Sequence, residues 1–217
     1  MGLEVLRARA AGRMNLAGGR LFLDFINTHG SRGSAIGTIS PSGNEKLNDY
    51  LDIVAWGWHV GALSKVQARA VWRESSRAPR EAMSVYRRAI RMREATYQVC
   101  RAILDGNQSA QANLEIINAE LARCHEVQTL SGDPSGFRLT LQAPEAALDR
   151  VLWHVTQSAV EWLTTGDVSR LRECDGEDCG WLFVDTSKNV SRRWCQMGDC
   201  GNRAKVRNFR QRKGRER

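Results

Sequence analysis

Four of the six cysteines in this 217-residue chain lie in its last 44 residues, as two pairs with the same internal spacing. Four residues separate Cys174 from Cys179, fifteen residues follow, and four residues separate Cys195 from Cys200. Two close pairs of this kind can bring four thiolates around one tetrahedral Zn²⁺, whereas a redox site would need the closer Cys-x-x-Cys spacing. The pattern therefore predicts one structural zinc ion per chain, held by Cys174, Cys179, Cys195 and Cys200.

Disulfides and plain buried cysteines are the alternatives to a metal site. Residues 1–7 contain no apolar signal-peptide core, so we expect a cytoplasmic protein whose thiols stay reduced. Four thiolates would leave no open position for water, which disfavours catalytic zinc. So small a module has little core of its own, and metal binding should contribute to its folding free energy. Cys100 and Cys124 fall on apolar helical faces, and we expect them to be core residues.

Positive charge is concentrated after the first cysteine pair. Residues 187–217 hold 11 Lys/Arg against two acidic residues, whereas residues 1–173 hold 21 Lys/Arg against 18 Asp/Glu. A nearly neutral body with a basic tail indicates a polyanionic partner for the tail. The alternative is a solvated tail that only maintains solubility.

The segment after Cys200 is typical of a helix that begins at the zinc site. Arg203, Arg207 and Arg210 share one face by their three- and four-residue spacing, and we expect Val206 and Phe209 to pack back on the module. Guanidinium groups suit phosphates, and the few aromatic residues favour a duplex over single strands. Arg203 has an equally good structural interpretation, since it lies beside a metal ligand. The candidate nucleic-acid-binding residues are Lys188, Arg192, Arg193, Arg203, Lys205, Arg207, Arg210 and Arg212.

Helical periodicity dominates the residues before the cysteines. The predicted helices span about residues 47–61, 64–73, 79–106, 109–124 and 144–166, with Pro144 opening the last of them. Residues 127–130 and 137–141 flank a turn and predict a β-hairpin, and residues 30–45, rich in Gly and Ser, predict a loop. The expected fold class is α+β: a mainly helical N-terminal domain with a small β-hairpin, followed by a treble-clef or zinc-ribbon-like C-terminal zinc finger.

Polar residues inside the apolar run 20–28 are the candidates for a ligand site. Asp24 and Asn27 are the polar groups expected to point inward, as structural pins or as pocket groups. Arg93 is a predicted partner of Asp24 and completes the candidate ligand-binding set. The four histidines are scattered, and the sequence has no nucleophile elbow, P-loop or dinucleotide fingerprint, so we expect no enzymatic activity.

Two motifs resemble known families. The stretch from Cys174 to Arg212, with the segments Cys-Gly-Trp-Leu-Phe-Val-Asp-Thr-Ser, Arg-Arg-Trp-Cys and Cys-Gly-Asn-Arg, closely resembles the CGNR zinc finger of bacterial regulators. Residues 21–28, Leu-Phe-Leu-Asp-Phe-Ile-Asn-Thr, resemble the opening of the ABATE domain that usually precedes this finger. The resemblance implies a stress-related transcription regulator. Its α/β ligand-binding domain would span residues 14–170, and its DNA-binding finger with a basic helix would span residues 171–217.

Three functions are consistent with these patterns. The first is a one-component, DNA-binding regulator in which a small molecule bound near Asp24 and Asn27 alters how the basic arm is presented. The second is an RNA-associated zinc-ribbon-like protein, and the third is a protein-interaction zinc module that binds no nucleic acid. Under the first, the expected partners are duplex DNA, an unidentified small molecule and a second copy of the chain, because two-fold binding would raise affinity. No membrane contact is expected, since no apolar run approaches about 18 residues.

Overall fold

Helices dominate the structure, and strands occur only as two short antiparallel pairs among the described residues. The computed structural model describes residues 3–30 and 45–215. In chain order, its helices and strands are α1 (Glu4–Ala8), α2 (Leu21–Ile26), α3 (Tyr50–His59), α4 (Lys65–Arg77), α5 (Pro79–Leu104), α6 (Gln111–His125), β1 (Gln128–Asp133), β2 (Gly136–Leu141), α7 (Arg150–Thr165), β3 (Leu171–Glu173), β4 (Leu182–Val184) and α8 (Asn202–Arg215). The predicted fold class is confirmed, and the predicted loop at 30–45 lies almost entirely outside the described residues.

The helix ends follow from the residue types found there. Ser64 caps α4 by accepting the N–H of Gln67 at 3.1 Å, and the Gln67 side chain accepts the N–H of Ser64 at 2.9 Å. This reciprocal pair satisfies two backbone donors that the first helical turn leaves without partners. Pro79 begins α5, where its missing N–H costs nothing, and Gly106 with φ +67° follows its end. Both helices were predicted, and both are confirmed.

The last helix of the body begins later than expected. Pro144 was expected to open it, but α7 begins at Arg150, and residues 144–149 form turns. The guanidinium group of Arg150 donates to the carbonyl oxygens of Ala143 and Pro144, at 2.7 and 2.8 Å. Because these bonds fold the segment back towards the first turn of α7, Pro144 lies before the helix rather than inside it.

Contacts within the chain group it into two units. Unit 1 comprises Met1–Met14 and Lys46–Gly166, and unit 2 comprises Asn15–Glu45 and Asp167–Arg217. In unit 1, the fully buried Trp56 of α3 and Leu152 of α7 belong to the core between the helices. Gly57 allows the close approach of α3 and α7, because a Cβ atom there would lie 2.5 Å from a methyl group of Val151.

A buried ion network joins three helical segments of unit 1. Arg88 of α5 donates to both carboxylate oxygens of Glu120 of α6, at 2.9 and 2.6 Å, and pairs with Asp149 at 2.6 Å. The hydrogen bonds that Arg88 donates to the Glu120 carboxylate raise the pKa of Arg88, although burial alone would lower it. The bidentate geometry gives this pairing directional specificity that a single contact would lack.

The β-hairpin is confirmed, with β1 and β2 in antiparallel register and Leu130 opposite Leu139. Its polar face is hydrogen-bonded across the strands, for example between Ser131 and Thr140 at 2.7 Å. Among the described residues, no helix is both long and apolar enough to cross a membrane.

Unit 2 contains α2, the strand pair β3–β4 and α8. The predicted division of the chain after residue 170 differs from this grouping, because residues 15–30 belong with the C-terminal cysteines. Three backbone links hold this segment: Val184 donates its N–H to the carbonyl of Gly18, and Asn27 makes two bonds with Leu182. Buried apolar side chains of α2 supply the core that a few dozen cysteine-rich residues could not provide by themselves.

Candidate metal centre and basic arm

The four predicted metal ligands converge. One sulfur atom from each of Cys174, Cys179, Cys195 and Cys200 lies within 4.8 Å of the other three, and all four residues are buried. The sulfur of Cys195 lies 3.7 Å from that of Cys179 and 3.6 Å from that of Cys200. Four sulfurs placed tetrahedrally at the usual zinc–sulfur distance of about 2.3 Å are separated by about 3.8 Å. The observed separations therefore fit one tetrahedral metal ion.

The two cysteine pairs are held together by the backbone around them. Cys174 follows β3 and donates its N–H to the carbonyl of Trp181 at 2.8 Å, while Asp175 donates its N–H to the carbonyl of Arg193 at 2.9 Å. Glycine is required at position 176, between Cys174 and Cys179, because a Cβ atom there would lie 2.9 Å from the sulfur of Cys200. Cys200 lies in a π-helical turn, Met197–Gly201, that leads directly into α8.

Hydrogen-bond donors point at the sulfur atoms. The backbone N–H groups of Cys195 and Gly176 lie 3.2 and 3.4 Å from the sulfur of Cys174. The thiols of Cys179 and Cys195 and these N–H groups together lower the pKa of Cys174, because each donates to its sulfur. The same contacts raise the pKa of Cys179 and of Cys195, because a thiol that donates to a neighbouring sulfur holds its own proton. Ligation requires all four thiolates, which the positive charge of a metal ion would stabilise.

Arg203 is hydrogen-bonded to the cysteine cluster. Its guanidinium donates to the sulfur of Cys200 at 3.1 Å and pairs with Asp199 at 3.3 Å. The hydrogen bond to Cys200 raises the pKa of Arg203, although burial alone would lower it. A divalent ion with four thiolates carries a net negative charge, which this guanidinium offsets. The structural interpretation of Arg203 therefore has direct support.

Apolar side chains surround the cysteines. Phe183 is fully buried in one cluster with Ala17 and the four cysteines, and Trp181 and Trp194 pack against that cluster. Ala17 comes from the segment before α2, so residues far apart in sequence share this apolar environment. An apolar environment excludes water from the sulfurs and stabilises the ligating geometry.

Arg192 is placed differently from the prediction. Its guanidinium lies over the ring of Phe183 at 4.3 Å, and it donates to the carbonyl oxygens of Trp194, Ala17 and Cys195. These contacts tie the second cysteine pair to the segment before α2. Its Nε and Nη2 atoms are therefore engaged inside unit 2, which the sequence could not show because Ala17 is 175 residues away.

Asp185, in the loop between the cysteine pairs, has a structural role that was not predicted. It is fully buried, and it accepts the backbone N–H groups of Ser187 and Arg192, both at 2.8 Å. The Asp-Thr-Ser sequence offered a signal, because an aspartate commonly accepts the N–H two residues later in a turn.

The basic arm is α8, which holds seven Lys/Arg and no acidic residue. Arg207 pairs with Glu177, and Arg193, in the loop, pairs with Asp175 at 2.7 Å. Lys205 and Arg210 are exposed. The side chain of Arg212 lies outside the described residues.

Lys188, Lys205 and Arg210 have no ion-pair or hydrogen-bond partner among the described residues, and all three are exposed. Of the predicted nucleic-acid-binding residues, these are the cations best placed to accept a new partner. A groove of about 550 Å³ lies along the neighbouring arginines, lined by residues that include Asp199, Arg203, Arg207 and Arg210.

The expected packing of Val206 and Phe209 onto the zinc module is wrong. Val206 is 50% exposed and Phe209 is 59% exposed, and the ammonium group of Lys213 lies 4.9 Å from the centre of the Phe209 ring. A π-helical turn leads into α8, and on the helix Arg207 pairs with Glu177 of the cysteine loop. This turn has no clear signal in the sequence.

Two of the three predicted ligand-binding residues, Asp24 and Asn27, hydrogen-bond to backbone groups of unit 2. Asp24 accepts the N–H groups of Ala17 and Gly18, at 2.9 and 2.8 Å. Asn27 donates to the carbonyl of Leu182 and accepts its N–H, both at 2.9 Å. These bonds make Asp24 and Asn27 pins of unit 2, which was one of the two interpretations open from the sequence. Arg93 is a buried residue of α5 in unit 1, where it donates to Glu94 at 2.9 Å.

Comparison with protein-family models gives two matches in the predicted order. Residues 19–166 match the ABATE model, described as "Putative stress-induced transcription regulator", and residues 170–213 match the CGNR zinc finger model. No curated protein matches the chain. Neither model describes an enzyme family. The ABATE match covers more than half of the chain. The four clustered cysteines lie within the residues that match the zinc finger model. The chain therefore belongs to the ABATE family of regulators and carries a CGNR zinc finger after its ABATE domain.

Proposed function

We propose that this protein is a non-enzymatic, zinc-dependent transcription regulator that binds duplex DNA through α8. The observation that carries the proposal is the exposed basic surface of α8, which grows directly from the cysteine cluster. One structural Zn²⁺ bound by the four thiolates would fix the π-helical turn and, through it, the direction of α8. A cation array on an ordered scaffold loses less conformational entropy on binding than the same array on a disordered tail.

Duplex DNA is favoured over RNA by the shape of the arm. An α-helix with side chains is about 10–12 Å wide and fits the B-form major groove, which is about 12 Å wide. The major groove of A-form RNA is deep and narrow, and side chains cannot read it. Competition between labelled duplex DNA and structured RNA separates the two. Failure to bind either would favour the protein-interaction module.

Phosphate contacts are expected to depend on the unpaired cations of the arm. The double substitution Lys205→Ala and Arg210→Ala should lower the slope of log affinity against log salt by about 2, because each lost phosphate contact removes about 0.9 from that slope. The matched control is Arg73→Ala on α4 with Arg87→Ala on α5, which removes the same charge from exposed positions in unit 1. An equal change in both variants would show that only total charge matters.

Glu177 is expected to restrain binding, because its carboxylate pairs with Arg207 next to the basic surface. Glu177→Gln breaks this ion pair and removes a negative charge from the surface that DNA phosphates would approach. The expected result is several-fold tighter binding to duplex DNA and a slope steeper by about one unit. Glu115→Gln, at an exposed position of α6, is the charge-matched control and should leave affinity unchanged.

A small-molecule sensor role for unit 1 is the second half of the proposal. Its support is a cleft of about 400 Å³ lined by residues that include Arg7, Trp58, Lys65 and Arg69. This volume lies within the usual range of ligand sites. Glu4 also lines the cleft, and Arg7 lies over the Trp58 ring at 4.8 Å, so Lys65 and Arg69 are the cations that suit an anionic molecule. Thermal-shift screening with aromatic carboxylates and nucleotides tests this half independently of DNA binding.

We also propose that the protein binds DNA as a homodimer, because one small finger offers few contacts and two-fold symmetry would double them. Sedimentation of the free protein and of its complex measures the stoichiometry directly.

A further inference from the structure

The two exposed apolar residues of α8 occupy the middle of its charged surface. Successive residues of an α-helix are rotated by about 100° around its axis. Around α8 this places Phe209 and Val206 one turn apart on the same face, with Lys205 beyond Phe209 and Arg210 beyond Val206. Lys213, one turn after Phe209, points between them, and its ammonium group lies 4.9 Å from the centre of the Phe209 ring. We call Val206 and Phe209 the apolar stripe.

The stripe is exposed at a cost in free energy, since about half of each side chain remains in water. Single exposed apolar side chains are common on protein surfaces, so the flanking cations, rather than exposure alone, indicate the partner of the stripe. The partner must be a polyanion, because cations flank the stripe on both sides and α8 carries no acidic residue. A second copy of α8 does not meet this requirement, since its own seven cations would repel the first seven.

Duplex DNA is a polyanion that also presents an apolar group, the thymine methyl, in its major groove. The 5-methyl group of thymine projects into the major groove between two rows of phosphates, and apolar side chains contact it there. A helix lying in that groove directs its central residues at the base edges and its flanking residues at the two backbones. The order of Lys205, the stripe and Arg210 around α8 corresponds to this arrangement.

We propose that Val206 and Phe209 read thymine methyl groups in the major groove, so that the protein prefers thymine-containing sites. This inference rests on the proposed DNA binding, and it adds a specificity that phosphate contacts alone cannot give. It assigns the apolar stripe to base recognition and Lys205 and Arg210 to positioning.

The test uses duplexes enriched from a random pool by the zinc-loaded, full-length protein. Each is remade with deoxyuridine in place of thymidine, which removes only the 5-methyl group. The expected result is binding weaker by about four-fold for each methyl group contacted. The double variant Val206→Ala and Phe209→Ala should bind both duplexes with equal affinity and keep the wild-type salt slope. Both positions are exposed, so zinc content and fold should be unchanged.

The outcomes separate this inference from the function on which it rests. Equal affinity of the wild-type protein for the thymidine and deoxyuridine duplexes would overturn the inference and leave phosphate binding intact. A wild-type dimer that the double variant converts to monomer, with equal affinity for both duplexes, would assign the stripe to a second copy. Absence of binding to any duplex would overturn the proposed function as well.

Discussion

Replacing Cys179 with serine is expected to abolish stoichiometric zinc binding and to unfold unit 2. The sulfur of Cys179 lies 3.7 Å from that of Cys195 inside the buried cluster, and a serine hydroxyl is a poor replacement for a thiolate ligand. Structural zinc in small fingers contributes binding free energy on the order of 10 kcal/mol, and that energy is also folding energy. Zinc content by mass spectrometry and segment-resolved hydrogen exchange measure the two effects.

The matched control is Cys124→Ser. Cys124 is a fully buried thiol of α6 in unit 1, and burial raises its pKa to about 11, so it stays protonated. Its sulfur contacts the carbonyl of Trp153 at 3.8 Å and lies in unit 1, away from the cysteine cluster. Zinc content should remain stoichiometric in this control. Retention of one zinc per chain in Cys179→Ser would contradict the four-thiolate site.

Replacing Asn27 with alanine is expected to destabilise unit 2 by about 2–5 kcal/mol. The side chain is 1% exposed, and it satisfies both the N–H and the carbonyl of Leu182 at the start of β4. Each buried polar group left without a partner costs about 1–3 kcal/mol. Hydrogen exchange at Leu182, together with the denaturant midpoint, measures the loss.

Asn208→Ala is the control, because Asn208 is exposed on α8 and surface substitutions usually change stability by less than about 0.5 kcal/mol. Asn27→Asp should also be destabilising, since a carboxylate accepts the Leu182 N–H but cannot donate to its carbonyl. A variant Asn27→Ala with unchanged stability would refute the backbone-pin role and would return Asn27 to the candidate ligand residues.

Local signals predicted much of the fold. The helices α4 and α5 follow from Ser64, Pro79 and Gly106, whose preferences act within one turn of the residue itself. The convergence of the four cysteines follows from their spacing, because two matched close pairs are typical of a metal site. The basic helix α8 was also predicted from a local signal, the three- and four-residue spacing of its arginines.

Long-range contacts were the part that could not be predicted. Membership of residues 15–30 in unit 2 depends on Asn27 meeting Leu182, 155 residues later, and no local pattern encodes that pairing. The position of Arg192 over Phe183 depends likewise on how the loop between the cysteine pairs folds. The exposure of Val206 and Phe209 was not predicted either, and a π-helical turn leads into the helix that carries them.

The central claim is that α8, ordered by the metal, binds duplex DNA. The most direct test measures the affinity of the zinc-loaded full chain for mixed-sequence duplex DNA at several salt concentrations. With Lys188, Lys205 and Arg210 as phosphate contacts, log affinity should fall against log salt with a slope of about −3. Removal of the metal should weaken binding at every salt concentration, because it releases the turn that orients the helix. No detectable binding by the zinc-loaded protein would contradict the account. An affinity that changes neither with salt concentration nor with removal of the metal would also contradict it.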